Sequence, residues 1–200
     1  MTLVSIGKKG EVMKAVLFDL DGTLVDSTAW HETALNCALQ EVSGFQIGEF
    51  ENRNTFSGKL TRDKLSILLE QGRISSEQVD IIPSLKKKYF DEILEGCGPP
   101  DLEKIRLLEE IKHKGLKLAC VTNSNYSAAH AVLHSVGLSE YFDLMVTGSD
   151  VFKHKPCSEG YIIAMVELGV RPRNCVIVED SAEGITSAHN TGAHVWRVWS

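Results

Sequence analysis

The sequence lacks several features that would indicate particular classes of protein. Its five cysteines are widely spaced and form no C-x-x-C pair, so nothing points to a zinc site or a dithiol redox centre. Neither a G-x-G-x-x-G turn nor a P-loop follows an apolar run, which argues against a flavodoxin-like or nucleotide-binding fold. The net charge of -6 is modest, so no broad electropositive surface for nucleic acid or an anionic membrane is implied.

Long apolar segments are also missing. The first twelve residues have no apolar region of the kind a secretory signal needs, and no stretch approaches the roughly 18 apolar residues of a membrane span. Met1 to Val12 are expected to be a loosely ordered extension or to precede the true start. Scattered cysteines fit reduced thiols, and we expect a cytoplasmic protein. Cys120 and Cys175 adjoin apolar runs and should be buried, whereas Cys157 beside a site loop is a candidate reactive thiol.

The sequence does contain an alternating pattern of short apolar runs and longer segments with helical periodicity. Strands buried on both faces have this appearance, and the alternation predicts an α/β fold with a doubly wound, Rossmann-like parallel sheet. The apolar runs are Ala15 to Phe18, Leu116 to Val121, Leu144 to Val146, Val176 to Val178 and Val195 to Val198. Four predicted helices, each followed within two residues by a glycine, are Asp101 to Lys114, Ser127 to Val136, Ser158 to Leu168 and Ser181 to Asn190.

One segment interrupts this alternation of strands and helices, because residues 29–95 have helical periodicity and no convincing buried strand. We expect a helical insert there, with a core made of residues 1–28 and 96–200. Ala29 to Glu41 and Arg62 to Gln71 are two predicted helices. A third begins at the capping-box pattern Ser75-Ser76-Glu77-Gln78 and is expected to be kinked or split by Pro83. The run from Gly96 to Pro100 has the composition of a hinge.

The strongest chemical signal is Phe18-Asp19-Leu20-Asp21-Gly22-Thr23, which places two carboxylates two residues apart where an apolar run ends. Both should point toward the same side, at the edge where open α/β sheets bind ligands. Two isolated acids of this kind would more simply be a solvated structural turn. Three further polar clusters follow later runs, and these are Thr122-Asn123-Ser124, Lys155-Pro156 and Glu179-Asp180-Ser181.

Taken together, the four clusters resemble the haloacid dehalogenase superfamily, whose first motif is DxDGT. The resemblance covers nearly the whole chain, and it implies phosphoryl transfer with Mg²⁺ as cofactor. It implies that Asp19 is both nucleophile and metal ligand, that Asp21 gives its backbone carbonyl to the metal, and that Asp180 adds a carboxylate. Glu179 is implied to complete the metal shell, directly or through water. The side chain of Asp21 is then the general acid and base, and its presence argues against true dehalogenation.

Three other core residues receive roles only through this joint pattern. The Thr122 hydroxyl and the Asn123 backbone N–H are implied to contact the transferring phosphoryl oxygens, although Thr-Asn-Ser alone would be a helix cap. Lys155 is implied to place a positive charge on the phosphoryl group and the nucleophile, although one loop lysine is ordinarily a solvated charge.

Within the insert, the resemblance is to the small helical cap of β-phosphoglucomutase-like members, which closes over the substrate. His31, Arg62 and Lys86 match the residues that steady the general acid, grip a distal phosphate and orient the sugar. Arg62 departs from the mutase pattern, because it lies one residue further from Gly58 than that pattern has it. Each of the three also has a plain interpretation as a helix or surface residue, and Lys86 belongs to a run of three lysines.

The sequence therefore predicts a phosphatase that acts on a sugar phosphate or similar small phosphorylated metabolite, as a monomer or weak homodimer. The principal alternative is a hexose-phosphate mutase, which shares the first half-reaction. An alternative of another class is a catalytically silent phosphate-binding module, in which Asp19, Asp21 or Lys155 would be lost; all three are present.

Overall fold

The computed structural model describes residues 12–56, 59–96 and 100–198. The predicted N-terminal extension therefore lies almost wholly outside the described residues, as do most of the predicted hinge and Gly58. Contacts divide the chain into two compact units. One consists of Met1–Asp26 with Gly98–Ser200, and the other is Ser27–Cys97.

The larger unit contains a five-stranded, wholly parallel sheet with helices on both faces, which confirms the predicted fold class. The strand order is β3-β2-β1-β4-β5, so the first strand lies at the centre of the sheet. The strands are β1 (Ala15–Phe18), β2 (Lys117–Val121), β3 (Leu144–Val146), β4 (Cys175–Glu179) and β5 (His194–Arg197). Each begins and ends within one residue of a predicted apolar run.

The helices of this unit also lie within one residue of their predicted bounds. They are α5 (Leu102–His113), α6 (Tyr126–Ser135), α7 (Glu159–Glu167) and α8 (Ala182–His189). The glycine after each helix has positive φ, a conformation that ends the helix and that a residue without Cβ adopts at little cost. Helix α7 packs against β2 and β3, and α8 packs against β4 and β5.

One face of the sheet carries the core cluster on which the site is built. Side chains alternate along a strand, and the cluster takes apolar odd-numbered residues from three strands, namely Ala15, Leu17, Ala119, Val121, Cys175 and Ile177. Tyr161, Ala164 and Met165 of α7 complete it, and Tyr161 is fully buried. Cys120 and Cys175 are buried in the strands, as predicted.

The smaller unit is helical, and its described residues contain no β-strand. Its helices are α1 (Thr28–Ser43), α2 (Glu49–Glu51), α3 (Thr61–Glu70) and α4 (Ser76–Glu95). A π-helical turn, Asn52–Phe56, follows α2, and neither element was predicted. The side chain of Phe56 is fully buried in the core of this unit.

Of the two expectations for Pro83, a kink or a split, the split is wrong, because α4 runs unbroken from Ser76 to Glu95. Proline removes one backbone hydrogen bond, and α4 packs along α1 and buries Ile82 and Phe90 on either side of Pro83. This packing keeps the helix continuous despite the lost bond. The capping box at its start is confirmed, since the Ser75 hydroxyl accepts from the Gln78 N–H and the Gln78 side chain accepts from the Ser75 N–H.

Within the described residues, no helix combines the length and the apolar character that crossing a bilayer requires.

Candidate active site

Asp19 and Glu179 point to the same face of the sheet. They continue the odd-numbered positions of β1 and β4, whose side chains enter the core cluster that contains Tyr161. The Asp19 N–H donates to the Val178 carbonyl at 3.0 Å, so the ladder between the two strands reaches the acid itself. Both carboxylates are buried, Glu179 completely. The sheet therefore brings together two acids from strands whose sequence positions are 160 residues apart.

Lys155 lies between these two acids. Its ammonium donates to Asp19 Oδ1 at 2.5 Å, to Glu179 Oε1 at 2.7 Å and to the Val121 carbonyl at 2.8 Å. An ammonium has three N–H donors, so all of them have acceptors. Burial by itself would lower the pKa of Lys155, but the neighbouring Asp19 and Glu179 carboxylates hold it well above its usual value. Lys155 is therefore a fixed positive charge against the predicted nucleophile.

The loop that carries Lys155 is held by the side chain of Asn123. Its carboxamide oxygen accepts from the Lys155 N–H at 2.9 Å, and its NH2 group donates to the Lys155 carbonyl at 3.4 Å. Gly148 packs against the backbone of Asn123. A Cβ at position 148 would lie 2.3 Å from the backbone carbonyl oxygen of Asn123. This anchoring role was not predicted, and it joins residues 32 positions apart.

The side chain of Asp21 is held by the second motif. Its Oδ2 accepts hydrogen bonds from the Thr122 hydroxyl at 3.1 Å and from the Ser124 hydroxyl at 2.8 Å. Thr122 in turn accepts from the Ser124 N–H, so the turn and the acid form one network. Ser124 was not among the predicted site residues, although its place three residues after the end of β2 suited such a contact. Thr122, assigned to the phosphoryl group, here orients Asp21.

Glu179 has both oxygens occupied by the protein. Its Oε1 accepts from Lys155 and from the Tyr161 hydroxyl, the latter at 2.8 Å. Its Oε2 accepts from the Asp180 N–H, the Ser181 N–H and the Ser181 hydroxyl. A carboxylate offers about four lone-pair positions, so these donors saturate it. This pattern favours an indirect contribution of Glu179 to any metal shell over direct ligation. Tyr161 was not predicted from the sequence.

Asp180 packs against the turn of the first motif. Gly22 has φ +94°, and a Cβ on it would lie 2.4 Å from Asp180 Oδ2. The Thr23 hydroxyl donates to Asp180 Oδ1 at 3.1 Å. The Gly-Thr of the first motif is thus required for close approach and for orientation of the Asp180 carboxylate.

The acids of the cluster fit a divalent cation. Oxygens of Asp19, Glu179 and Asp180 all lie within 4.8 Å of one another. Burial raises the pKa of Asp19 to about 8, and the carboxylates of Glu179 and Asp21 add to this, while Lys155 opposes it. Burial also raises the pKa of Asp180. The negative charge thus exceeds what one ammonium compensates, and an all-oxygen set of this kind suits Mg²⁺.

Gly184 of α8 leaves the space that the Glu179 carboxylate occupies. A Cβ at this position would lie 1.8 Å from Glu179 Oε1 and 2.0 Å from its Cδ. We therefore expect Gly184→Ala to displace Glu179 and to lower the free energy of unfolding by about 1–3 kcal/mol, as overpacking does. Urea denaturation measures this. Gly48→Ala is the matched control, because nothing lies within 4 Å of its added Cβ. Equal stability of the two variants would contradict the close packing of Glu179.

The three predicted substrate residues of the insert all lie in the helical unit. The His31 ring stacks on Phe90, with centroids 4.2 Å apart. The Lys86 ammonium donates to the Thr61 hydroxyl at 2.7 Å. The Arg62 side chain is exposed and lies 3.5 Å from the Asp63 carboxylate. Of the lysine run, only Lys86 is half-buried; the other two are exposed and pair with acids one helical turn away.

Known proteins are similar to this chain over most of its length. The family model described as haloacid dehalogenase-like hydrolase matches residues 16–198. The phosphorylated carbohydrates phosphatase of Thermotoga maritima is 31% identical over 184 residues, which cover 90% of this chain and 82% of that protein.

Two solved structures extend the comparison. The structure of CbbY from Rhodobacter sphaeroides in complex with phosphate has a TM-score of 0.85 at 23% identity, and it covers 94% of this chain and 87% of that one. This likeness shows a shared fold. The β-phosphoglucomutase of Clostridium difficile has a TM-score of 0.78 at 25% identity, with 92% of this chain and 83% of that one covered.

Proposed function

The chain belongs to the haloacid dehalogenase-like hydrolase family, and we propose that it is a Mg²⁺-dependent phosphatase of small phosphate monoesters, sugar phosphates above all. One observation supports this most. Lys155 binds Asp19, while Thr122 and Ser124 hold the side chain of Asp21. A two-step transfer needs a nucleophile and a general acid, and here different residues hold the two groups.

In the first half-reaction, a carboxylate oxygen of Asp19 attacks phosphorus in line. The new O–P bond forms as the bond to the substrate oxygen breaks, and the departing alkoxide takes a proton from Asp21. Thr122 and Ser124 donate into Oδ2 of Asp21, so the proton of the acid form resides on Oδ1. Lys155 neutralises part of the charge on the phosphoryl group throughout.

In the second half-reaction, water attacks the aspartyl-phosphate. Asp21, now ionised, accepts a proton from that water as the new O–P bond forms and the bond to Asp19 breaks. Inorganic phosphate is released, and both acids return to their starting states. The hydroxyl donors of Thr122 and Ser124 stabilise the ionised form of Asp21 between the two steps.

The metal would be held by the carboxylates of Asp19 and Asp180 and by the Asp21 backbone carbonyl, with Glu179 contributing through its neighbours. When bound, Mg²⁺ supplies the positive charge that offsets the charge of the transferring phosphoryl group. Residues of the chain itself hold the acids in place before any substrate binds. Thr23 and Gly22 orient the Asp180 carboxylate, and Lys155 orients the Asp19 carboxylate.

Asp21→Asn tests the proton-transfer step. Loss of a positioned acid costs about 10²-fold for an alkoxide leaving group, whereas the phosphoenzyme-forming step with an aryl phosphate needs little acid assistance. We therefore expect the burst of p-nitrophenol to persist while turnover of a sugar phosphate falls about 10²-fold. Stopped-flow kinetics measures both, with exposed Asp91→Asn as control. Equal losses for the two substrates would remove Asp21 from its assigned role.

Substrate choice is proposed to reside in the helical unit, through His31, Arg62 and Lys86, acting as a cap. The name of the Thermotoga maritima relative, a phosphorylated carbohydrates phosphatase, supports a sugar phosphate as substrate. We further propose that the enzyme works in the cytoplasm as a monomer or weak homodimer. The four described cysteines are free thiols, which fits a reducing compartment.

A phosphomutase is the second candidate, supported by the likeness to β-phosphoglucomutase. In a mutase, a sugar hydroxyl takes the place of water in the second half-reaction. An assay with Mg²⁺ across phosphorylated sugars, with and without a sugar bisphosphate, separates the two. Release of free phosphate without bisphosphate supports the phosphatase. Bisphosphate-dependent interconversion of sugar phosphates without phosphate release would replace it by the mutase.

A further inference from the structure

Tyr161 lies beneath the candidate site, next to Glu179 and Lys155. Its side chain is fully buried in the core cluster of α7, and its hydroxyl donates to Glu179 Oε1 at 2.8 Å. Its ring also lies under the Lys155 ammonium, 4.8 Å from centroid to Nζ. Tyr161 is therefore the one described tyrosine that touches both Glu179 and Lys155.

The Tyr161 hydroxyl is one of the hydrogen-bond donors that hold the Glu179 carboxylate. Two donors reach Oε1, from Lys155 and Tyr161, and three reach Oε2, from Asp180 and Ser181. The carboxylate thus cannot rotate without breaking several hydrogen bonds. Gly184, which has no Cβ, allows it to pack against the start of α8. Of the two donors to Oε1, Lys155 also binds Asp19, whereas the Tyr161 hydroxyl binds Oε1 from the core.

The Lys155 ammonium uses all of its hydrogen-bond donors. Its three N–H donors go to Asp19, Glu179 and the Val121 carbonyl. When one acceptor moves, the ammonium must turn, and its short contact with Asp19 changes with it. A buried network of this kind transmits small displacements, because its hydrogen bonds polarise one another in the low-dielectric interior and an unpaired buried polar group is costly.

We propose that Tyr161 is a positioning residue that, through Glu179, holds the Lys155 ammonium against Asp19. This inference rests on the proposed function for its catalytic consequence, while its structural part stands without it. Tyr161→Phe keeps the ring beneath Lys155 and removes only the hydroxyl. Oε1 of Glu179 then has Lys155 as its single donor, which draws the ammonium toward Glu179 and away from Asp19.

The kinetic test compares Tyr161→Phe with Tyr141→Phe. Tyr141 also donates to a glutamate, Glu109, but lies at the surface, so it is a matched control. Tyr161→Phe should lower kcat about tenfold and change KM less than about twofold, because Lys155 acts mainly in the transition state. Tyr141→Phe should leave both unchanged. Equal kinetics of the two variants would overturn the proposal.

A double-mutant cycle tests the route through Glu179. In a Glu179→Gln background the carboxylate charge is gone, and adding Tyr161→Phe should cost less than about twofold in kcat. The same tenfold loss in both backgrounds would show that Tyr161 acts by another route and would overturn the proposal.

A spectroscopic measurement decides the structural part, even for a protein without phosphatase activity. In protein labelled with ¹⁵N-lysine, the buried Lys155 ammonium should give a slowly exchanging Nζ signal that Lys155→Gln removes. Tyr161→Phe should shift this signal and speed its exchange, whereas Tyr141→Phe should not. An unchanged signal in Tyr161→Phe overturns the proposal. An inactive wild-type enzyme would instead contradict the proposed function and leave this test intact.

Discussion

Asp19→Asn is expected to abolish turnover, with a loss of about 10⁴-fold or more. The amide keeps the size of the side chain but cannot form the acyl-phosphate, so the two-step route is closed rather than slowed. Transition-state stabilisation by Lys155 alone leaves only a small residual rate. Steady-state release of phosphate from a sugar phosphate at saturating Mg²⁺ measures this loss.

The same variant should retain its fold, which separates chemistry from stability. Asp19 is buried and burial disfavours its charge, so a neutral isostere relieves that cost while Glu179 still pairs with Lys155. Urea denaturation should give a free energy of unfolding within about 1 kcal/mol of the parent protein. Asp91→Asn, at an exposed ion pair, is the control for both measurements. Substantial activity in folded Asp19→Asn protein would contradict the assigned nucleophile.

Removal of divalent metal is the second change with a large expected effect. Chelation with EDTA should lower turnover roughly 10³-fold or more, and excess Mg²⁺ should restore it, because the metal supplies several kcal/mol of charge stabilisation. Asp180→Asn should raise the Mg²⁺ concentration required for half-maximal activity. Full activity after dialysis against EDTA would contradict a metal-dependent mechanism.

The metal should also change how stability depends on pH. The pKa of Asp19 rises from 3.8 to about 8 on folding, so between these values the native protein holds a proton that the unfolded chain has released. Stability of metal-free protein is therefore lost as pH rises from about 4 to about 8. Mg²⁺ competes with that proton, so its effect on Tm should be larger at pH 8.5 than at pH 5.5. An equal or absent shift in melting curves at the two pH values would contradict the placement of the metal at Asp19.

The strand-end clusters could be predicted because they depend on local rules. Continuous apolar runs indicate buried strands, and parallel strands end at one edge, so Asp19, Thr122 and Asp180 were expected to converge there. The glycines after the helices were equally local signals, and their positive φ values confirm them. The fold class and the bounds of the sheet elements follow from the same periodicity.

The supporting residues could not be predicted, because their contacts join distant parts of the chain. Tyr161 looks like any aromatic on the apolar face of α7, and only the fold brings its hydroxyl to Glu179. Gly184 looks like a weak helix residue until the Glu179 carboxylate is placed against it. The expected split at Pro83 is absent for a related reason, since the packing of α4 on α1 overrides a local preference.

The most direct test of the account is to trap the phosphoryl group on the enzyme. Asp21→Asn protein is mixed with an aryl phosphate and Mg²⁺, quenched in acid within milliseconds, reduced with borohydride and digested for mass spectrometry. An acyl-phosphate on Asp19 becomes homoserine on reduction, and we expect this conversion at Asp19 alone. Conversion at another acid, or a burst of product with Asp19 unmodified, would contradict the claim that Asp19 carries the phosphoryl group.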